Sequence, residues 1–226
     1  MNVAICFSGQ LRSLEKTYES IENFLQNNFN KFKIFAHIPL SENSDDFIKY
    51  FKSANILVEK DPVIKKTKLK NKQFKSVEDK FGSLKAAKFA HMQQLYGIYK
   101  ANNLKIEYEK TSGTSFDWVI RCRSDLKFYE SKLHLEILNK DVIYTPNFHH
   151  WGGINDRIVI GSSTNMDIFC NIFNHVKKYP IPGFNAENIF KNYLTKKNIM
   201  TKEIDTLKFN RVRNNGEELK DFETLK

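Results

Sequence analysis

Three apolar residues, Trp118, Val119 and Ile120, run straight into Arg121, Cys122, Arg123, Ser124 and Asp125. A short, bulky, β-prone run of this kind predicts a strand covered on both faces. Such a strand needs packed layers on either side, which points to an α/β fold. Arg121, Arg123 and Asp125 occupy alternate positions. If the extended backbone continues, all three point to one side, because side chains alternate across a strand. Two guanidiniums and a carboxylate at the carboxyl end of a buried strand suit a metal-and-phosphate site, at the end where open α/β sheets bind ligands. The competing reading is a partly buried ion pair between Asp125 and either arginine.

The first third of the chain alternates strand and helix. Val3 to Phe7 is a continuous apolar run followed by Ser8-Gly9-Gln10, a turn signal. Ser13 stands where a helix cap belongs, ahead of Leu14, Tyr18, Ile21 and Leu25 at helical spacing. A strand, a tight loop and a helix beginning there form a phosphate-binding unit in nucleotide-binding folds. Phe32 to Ile38 predicts a second strand, with His37 as a structural histidine near its end. Ser44-Asp45-Asp46 opens a short helix, and Ile56 to Val58 a third strand. This order predicts a parallel sheet with right-handed crossovers.

Lysines crowd the segment from Lys60 to Lys75, read as an exposed loop over an anionic ligand or a membrane surface, or as a solvated stretch. A helix is predicted from about Asp79 to Asn103, carrying Phe81, Leu84, Ala87, His91, Leu95 and Ile98 on one stripe and leaving Lys88, Gln94 and Tyr96 off it. Val142 to Thr145 reads as a strand ended by Pro146. His149-His150-Trp151-Gly152-Gly153-Ile154-Asn155-Asp156-Arg157 concentrates functional residue types in one turn. Beyond it, Arg157 to Gly161 predicts a strand, and Thr164 with Asp167 a capping-box start for the next helix. Pro180 and Pro182 break that helix, Asn185 caps another with Glu187 in its first turn, and Ile199 to Ile204 suits an edge strand. Residues 1–210 are expected to form one domain, and 211–226 a polar tail that frays from Asn214 onward.

At 226 residues and 41% hydrophobic, the chain has material for a sizeable core. The net charge of +10 calls for an anionic partner or a solvated lysine surface. Three sparse cysteines, Cys6, Cys122 and Cys170, do not make a disulfide framework. Met1 to Phe7 lacks signal-peptide features, and no stretch approaches the roughly 20 apolar residues of a membrane span. The expected location is cytoplasmic, with the inner face of a membrane as a peripheral contact.

Four stretches together resemble a GT-A-fold nucleotide-sugar glycosyltransferase, of the small bacterial and large-virus type that assembles surface glycans. They are Ala4 to Arg12, Gln94 to Ala101, Phe116 to Leu126, and Gly153-Ile154-Asn155-Asp156-Arg157 with the strand after it. The resemblance implies a single Rossmann-type domain with a mixed, mostly parallel sheet flanked by helices. It implies a DxD-type segment that holds Mn²⁺ or Mg²⁺ against the donor diphosphate. The matching segment is Arg123-Ser124-Asp125, where only the final carboxylate survives.

On that reading a UDP- or GDP-linked sugar passes to a hydroxyl of a glycan or lipid-linked glycan. Phe7, Ser8, Gly9, Gln10, Arg12, Lys88, Arg121, Arg123 and Asp125 are expected at the donor, and Asp125 with His149 at the metal. Arg121 or Arg123 could supply the positive charge in place of the metal. Asp156 is the first choice and Glu187 the second for the base that takes the acceptor proton. His150, Trp151 and Asn155 are expected at the acceptor. Two rivals remain. A nucleic-acid-binding module fits the charge, but no recognition motif accompanies the lysines, so nucleic acid is not the expected partner. A metal-dependent phosphate-ester hydrolase fits Asp125, Asp156 and the histidines, but lacks two close carboxylates.

Overall fold

A computed structural model of the chain describes residues 1–41, 43–61, 84–178 and 186–223. The chain begins with β1 (Val3–Ser8), α1 (Leu14–Asn28), β2 (Phe32–Pro39), α2 (Ser44–Tyr50) and β3 (Asn55–Glu59). A long helix, α3 (Leu84–Ser112), leads to β4 (Trp118–Cys122), β5 (Leu126–Phe128), β6 (Val142–Pro146) and β7 (Ile158–Ser162). Then come α4 (Ser163–Cys170), α5 (Ile172–Lys178), α6 (Ala186–Lys196), β8 (Met200–Ile204), β9 (Phe209–Val212) and β10 (Glu218–Leu219).

Seven strands form one sheet in the order β3-β2-β1-β4-β7-β6-β8. Strands β3, β2, β1 and β4 are mutually parallel, β7 runs antiparallel between β4 and β6, and β8 lies parallel to β6 at the edge. This is the mixed, mostly parallel sheet that the family resemblance implies, and its β3-β2-β1 part is the parallel arrangement that the alternating strand and helix pattern predicts. Its register aligns Ile5 with Ile34 on one side and Ile120 on the other, and Ile120 with Ile160.

The two faces of the sheet follow from alternation along each strand. Val3, Ile5 and Phe7 face a core shared with Leu14, Ile21 and Phe24 of α1 and Phe47 of α2. Ala4 and Cys6 face the other core, built from Met92, Leu95 and Ile98 of α3 and Met166 and Phe169 of α4. Each fully buried Ile, Leu or Phe contributes about 1.5–3 kcal/mol relative to exposure. Small residues on the second face let α3 pack close to β1. All three cysteines are buried free thiols, and burial pushes Cys6 and Cys122 up to about 12.

Several local expectations are corrected. The extended backbone of β4 does not continue to Asp125: Ser124 and Asp125 turn, and β5 leaves for a second sheet ordered β10-β9-β5. Phe128 of β5 stacks on Phe24 of α1 at 4.1 Å, which ties that small sheet to the first core. The long helix runs past Asn103 to Ser112 because its buried side continues with polar residues, Asn102 and Lys105. Lys105 Nζ donates to Asp167 at 2.7 Å, Ser163 at 2.7 Å and Glu109 at 2.9 Å, so burial does not leave the charge unpaired. The cap of α4 is Ser162, which accepts from the Asn165 amide, and not Thr164. Ser13 does precede α1, but its hydroxyl donates to the Val212 carbonyl at 2.8 Å. The described residues from Asn214 to Glu223 are folded onto the domain where a frayed tail was expected: β10 pairs with β9, and Asp221 is buried. Phe81, Pro180, Pro182, Asn185 and the lysines from Lys65 to Lys75 lie outside the described residues.

Candidate functional site

The carboxyl ends of β1 and β4 lie side by side, since Phe7 is in register with Cys122. The chain leaves β1 through Gly9, whose φ of +114° suits glycine and whose amide donates to the His37 carbonyl. The turn after β4 is fastened to this loop and to α1: Ser124 Oγ donates to the Gln10 carbonyl at 3.4 Å, and Thr17 Oγ1 to the Ser124 carbonyl at 2.6 Å. The Val212 amide of β9 donates to the Asp125 carbonyl at 2.9 Å. The β1 loop, α1 and β9, three segments far from this turn in sequence, therefore hold Asp125 in place.

Around Asp125 gathers a cluster of arginines and aspartates. Arg123 grips Asp125 in a two-bond fork, Nε to Oδ1 at 2.7 Å and Nη2 to Oδ2. Burial alone would push the Asp125 carboxyl up, but the charge and hydrogen bonds of Arg123, helped by Arg211 and Arg12, hold it below its ordinary range. Burial likewise disfavours the Arg123 cation, yet Asp125, Asp156 and Asp221 outweigh that and raise its pKa. Arg121 is buried and donates to the backbone carbonyls of Asp156 and Arg157, the latter at 2.9 Å; its Nη2 lies 3.5 Å from Asp156 Oδ2. Gln94, off the apolar stripe of α3, donates to the same Asp156 oxygen.

The β6–β7 loop is shaped by its own polar groups. Asn155 Nδ2 donates to the Phe148 carbonyl at 2.7 Å, and Asn155 Oδ1 accepts from the Arg157 amide at 3.0 Å and from Arg157 Nη1 at 3.2 Å. Gly153 abuts the start of α6 so closely that a Cβ there would lie 2.0 Å from the Glu187 carbonyl carbon. The Ile154 amide donates to the Glu187 carbonyl at 3.0 Å. Glycine is thus the residue that lets the loop dock on this helix.

The sequence-predicted residues divide between this cluster and other places. Arg12, Arg121, Arg123, Asp125 and Asp156 meet in it. Ser8, Gly9 and Gln10 form the adjacent loop, with the Gln10 side chain accepting from Arg12 Nε at 3.1 Å. Phe7 lies wholly in the core against Phe47 and Phe51, so its side chain faces no ligand. Lys88 falls on α3 where only the backbone is described. His149 stands 3.3 Å from Asp221, stacks on Trp151, and has its pKa lowered by burial. His150 lies 3.3 Å from Glu203 and lines a separate cavity of about 270 Å³ with Thr145, Gly153, Ile154, Thr201 and Lys202. Trp151 is 62% exposed, Asn155 is fully buried, and Glu187 is half-buried at the start of α6.

Two further groups carried little sequence signal. Arg211 on β9 pairs with Asp221, and both couple electrostatically to Arg157. They sit in the segment read as a tail. At the ends of β2 and β3, Glu59 accepts from Tyr96 Oη at 2.7 Å and contacts His37 Nε2 at 3.0 Å, with Lys100 3.6 Å away. The spacing of Tyr96 off the apolar stripe was the one sign of this contact.

A divalent ion does not fit the residues gathered here. Both oxygens of Asp125 are engaged by Arg123, and His149 faces Asp221. Among the described residues no group of three His, Cys, Asp or Glu side chains is arranged to hold a metal. Among the same residues no helix is long and apolar enough to cross a membrane.

The fold is that of GT-A-type glycosyltransferases. Core-mannan synthase A of Aspergillus fumigatus, in its Mn/GDP form, superposes with a TM-score of 0.55 at 12% identity, covering 98% of this chain and 78% of that one. A glycosyltransferase involved in the glycosylation of the major capsid of PBCV-1 gives a TM-score of 0.43 at 11% identity over 90% of this chain and 82% of its own. Mouse xyloside xylosyltransferase 1, in its apo form, gives 0.44 at 12% over 90% and 84%. No curated protein matches the sequence. A family model does, over residues 1–213, and the chain therefore belongs to the family described as a domain of unknown function, DUF7796.

Proposed function

We propose that the chain transfers a sugar from a nucleoside-diphosphate donor, UDP- or GDP-linked, to a hydroxyl of a glycan or lipid-linked glycan. The observation that carries this reading is the arginine cluster at the carboxyl ends of β1 and β4, on a GT-A-type sheet. Breaking a bond from sugar to diphosphate builds negative charge on the leaving phosphate. Fixed cations at that point lower the barrier, because they are oriented before the charge develops. Arg12 donates to Gln10 of the β1 loop, Arg123 stands at the turn after β4, and Asp125 fixes the direction of Arg123. Ser8, Gly9 and Gln10 border the same space and suit the nucleotide.

Asp156 is assigned as the base that takes the acceptor proton in an inverting transfer. Gln94 and Arg121 fix its carboxylate just ahead of the start of β7, beside the cluster. Glu187, whose backbone anchors the β6–β7 loop, is the second candidate. His150 and Trp151 on that loop suit an acceptor. The expected Mn²⁺ or Mg²⁺ has no fitting set of ligands here, so no step is assigned to it.

The test is thermal shift of the full chain against a panel of UDP- and GDP-sugars and an oligonucleotide. Stabilisation by one nucleotide sugar, followed by release of its nucleoside diphosphate with a sugar acceptor, is expected. Stabilisation by the oligonucleotide alone would replace this reading with the nucleic-acid-binding one.

A further inference from the structure

We infer that the donor diphosphate is held by guanidinium groups alone, without a divalent cation, and that Arg157 and Arg211 belong to that site. The inference rests on the transfer reaction proposed above. Each carboxylate that a cation would need lies against an arginine. Arg123 closes on Asp125 through two bonds, Arg211 closes on Asp221 through Nη2–Oδ1 at 2.7 Å and Nε–Oδ2 at 2.8 Å, and Arg121 stands 3.5 Å from Asp156. A metal at Asp125 would have to displace a chelating guanidinium and then sit among cations of its own sign.

The cluster carries more positive than negative charge. Arg12, Arg121, Arg123, Arg157 and Arg211 are coupled to Asp125, Asp156 and Asp221, five cations against three anions, an excess of two. Exposure shows which sign faces outward. The Arg123 and Arg211 side chains are 28% and 21% exposed, whereas their partners Asp125 and Asp221 are 8% and 2%. The carboxylates stand behind the guanidiniums and take the Nε–Nη2 edge of each, which orients it and leaves its Nη1 outside the pair. Among the described residues, Arg157 Nε is also a buried donor with no hydrogen-bond acceptor. A planar, pre-oriented guanidinium matches phosphate oxygens with paired hydrogen bonds, which a lysine or a hydrated cation does not.

The experiment is calorimetric titration of UDP and of GDP into the full chain, once in EDTA and once in Mn²⁺. Affinity in EDTA within about twofold of that in Mn²⁺ is the expected result. Binding that needs Mn²⁺, or is strengthened tenfold or more by it, overturns the inference and leaves the transferase reading standing. Binding of neither nucleotide under either condition overturns both. Because Arg211→Ala strands a buried carboxylate, the variant used is Arg211→Ala with Asp221→Ala, checked for a retained cooperative melt alongside Arg211→Lys. Loss of about tenfold in EDTA affinity in the double variant, and a smaller loss in Arg211→Lys, is expected. Undiminished affinity in a folded double variant removes Arg211 from the site.

Discussion

Arg211 and Asp221 form a two-bond fork that ties β9 to the last described turn of the chain, and Asp221 Oδ2 also accepts from the Arg211 amide at 2.9 Å. The same aspartate stands 3.3 Å from His149 of the β6–β7 loop. A segment rich in polar residues is thereby folded against the candidate site. Asp221→Ala leaves the Arg211 guanidinium without its partner, and the expected cost is about 2 kcal/mol, below the usual cost for a buried pair because Arg211 is partly solvated. Urea unfolding measures it; a midpoint equal to that of the wild type would show that the fork contributes nothing.

Asp125 and Asp156 are expected to fail in different ways. Asp125→Ala frees Arg123 from its fixed direction, so donor affinity is expected to be lost along with turnover, which a small misplacement of a charge-stabilising group lowers by about a hundredfold. Asp156→Asn keeps the shape of the β7 end but removes the base, so donor affinity is expected to survive while kcat falls by about a hundredfold or more. Steady-state kinetics paired with donor titration separate the two. Equal losses of affinity and turnover in Asp156→Asn would assign that residue to donor binding.

Gly153→Ala tests the docking of the β6–β7 loop. The added Cβ would fall 2.0 Å from backbone of α6, and neither backbone is a flexible side-chain end that can swing away. Overpacking of this kind costs about 3 kcal/mol. The expected outcome is a lower melting temperature with loss of transfer, since Asp156 lies three positions further along the same loop. A variant with wild-type stability would show that the loop docks elsewhere in solution.

Stability is expected to fall with acid in two steps. Burial lowers the pKa of His37 below 6.5, and burial also lowers that of His149. As pH drops below 6.5 the unfolded chain takes up these protons first, so the contribution is complete above 6.5 and is lost toward the lower folded values. Asp125 and Asp221 have lowered carboxyl pKa values despite burial, which opposes the shift, because their arginine partners outweigh it. Their contribution is complete above 3.8 and lost below it. Urea midpoints from pH 8 to pH 3 check both steps, and His37→Gln is expected to shallow the first. An unchanged slope in that variant would show that His37 does not titrate across this range.

The strands, their order in the first half and the two-sided core were legible in the sequence, because burial on both faces leaves continuous apolar runs and burial on one side of a helix leaves a period. Val3 to Phe7, Trp118 to Ile120 and the Leu95–Ile98 stripe all carry that mark. The same logic explains the misread stretches: Asn102 and Lys105 are buried yet polar, so the period stops in the sequence while α3 continues. The meeting of Arg123 with Asp125 was one of two readings the spacing allowed, and the turn at Ser124 selects it.

Only tertiary structure brought Gln94 to Asp156, Glu59 to His37 and Tyr96, and Arg211 with Asp221 to the loop of His149. Local sequence records which side chains avoid water, since that preference belongs to each residue alone. A polar contact between residues far apart belongs to a pair, and it exists only once the sheet has set both partners at the same strand ends.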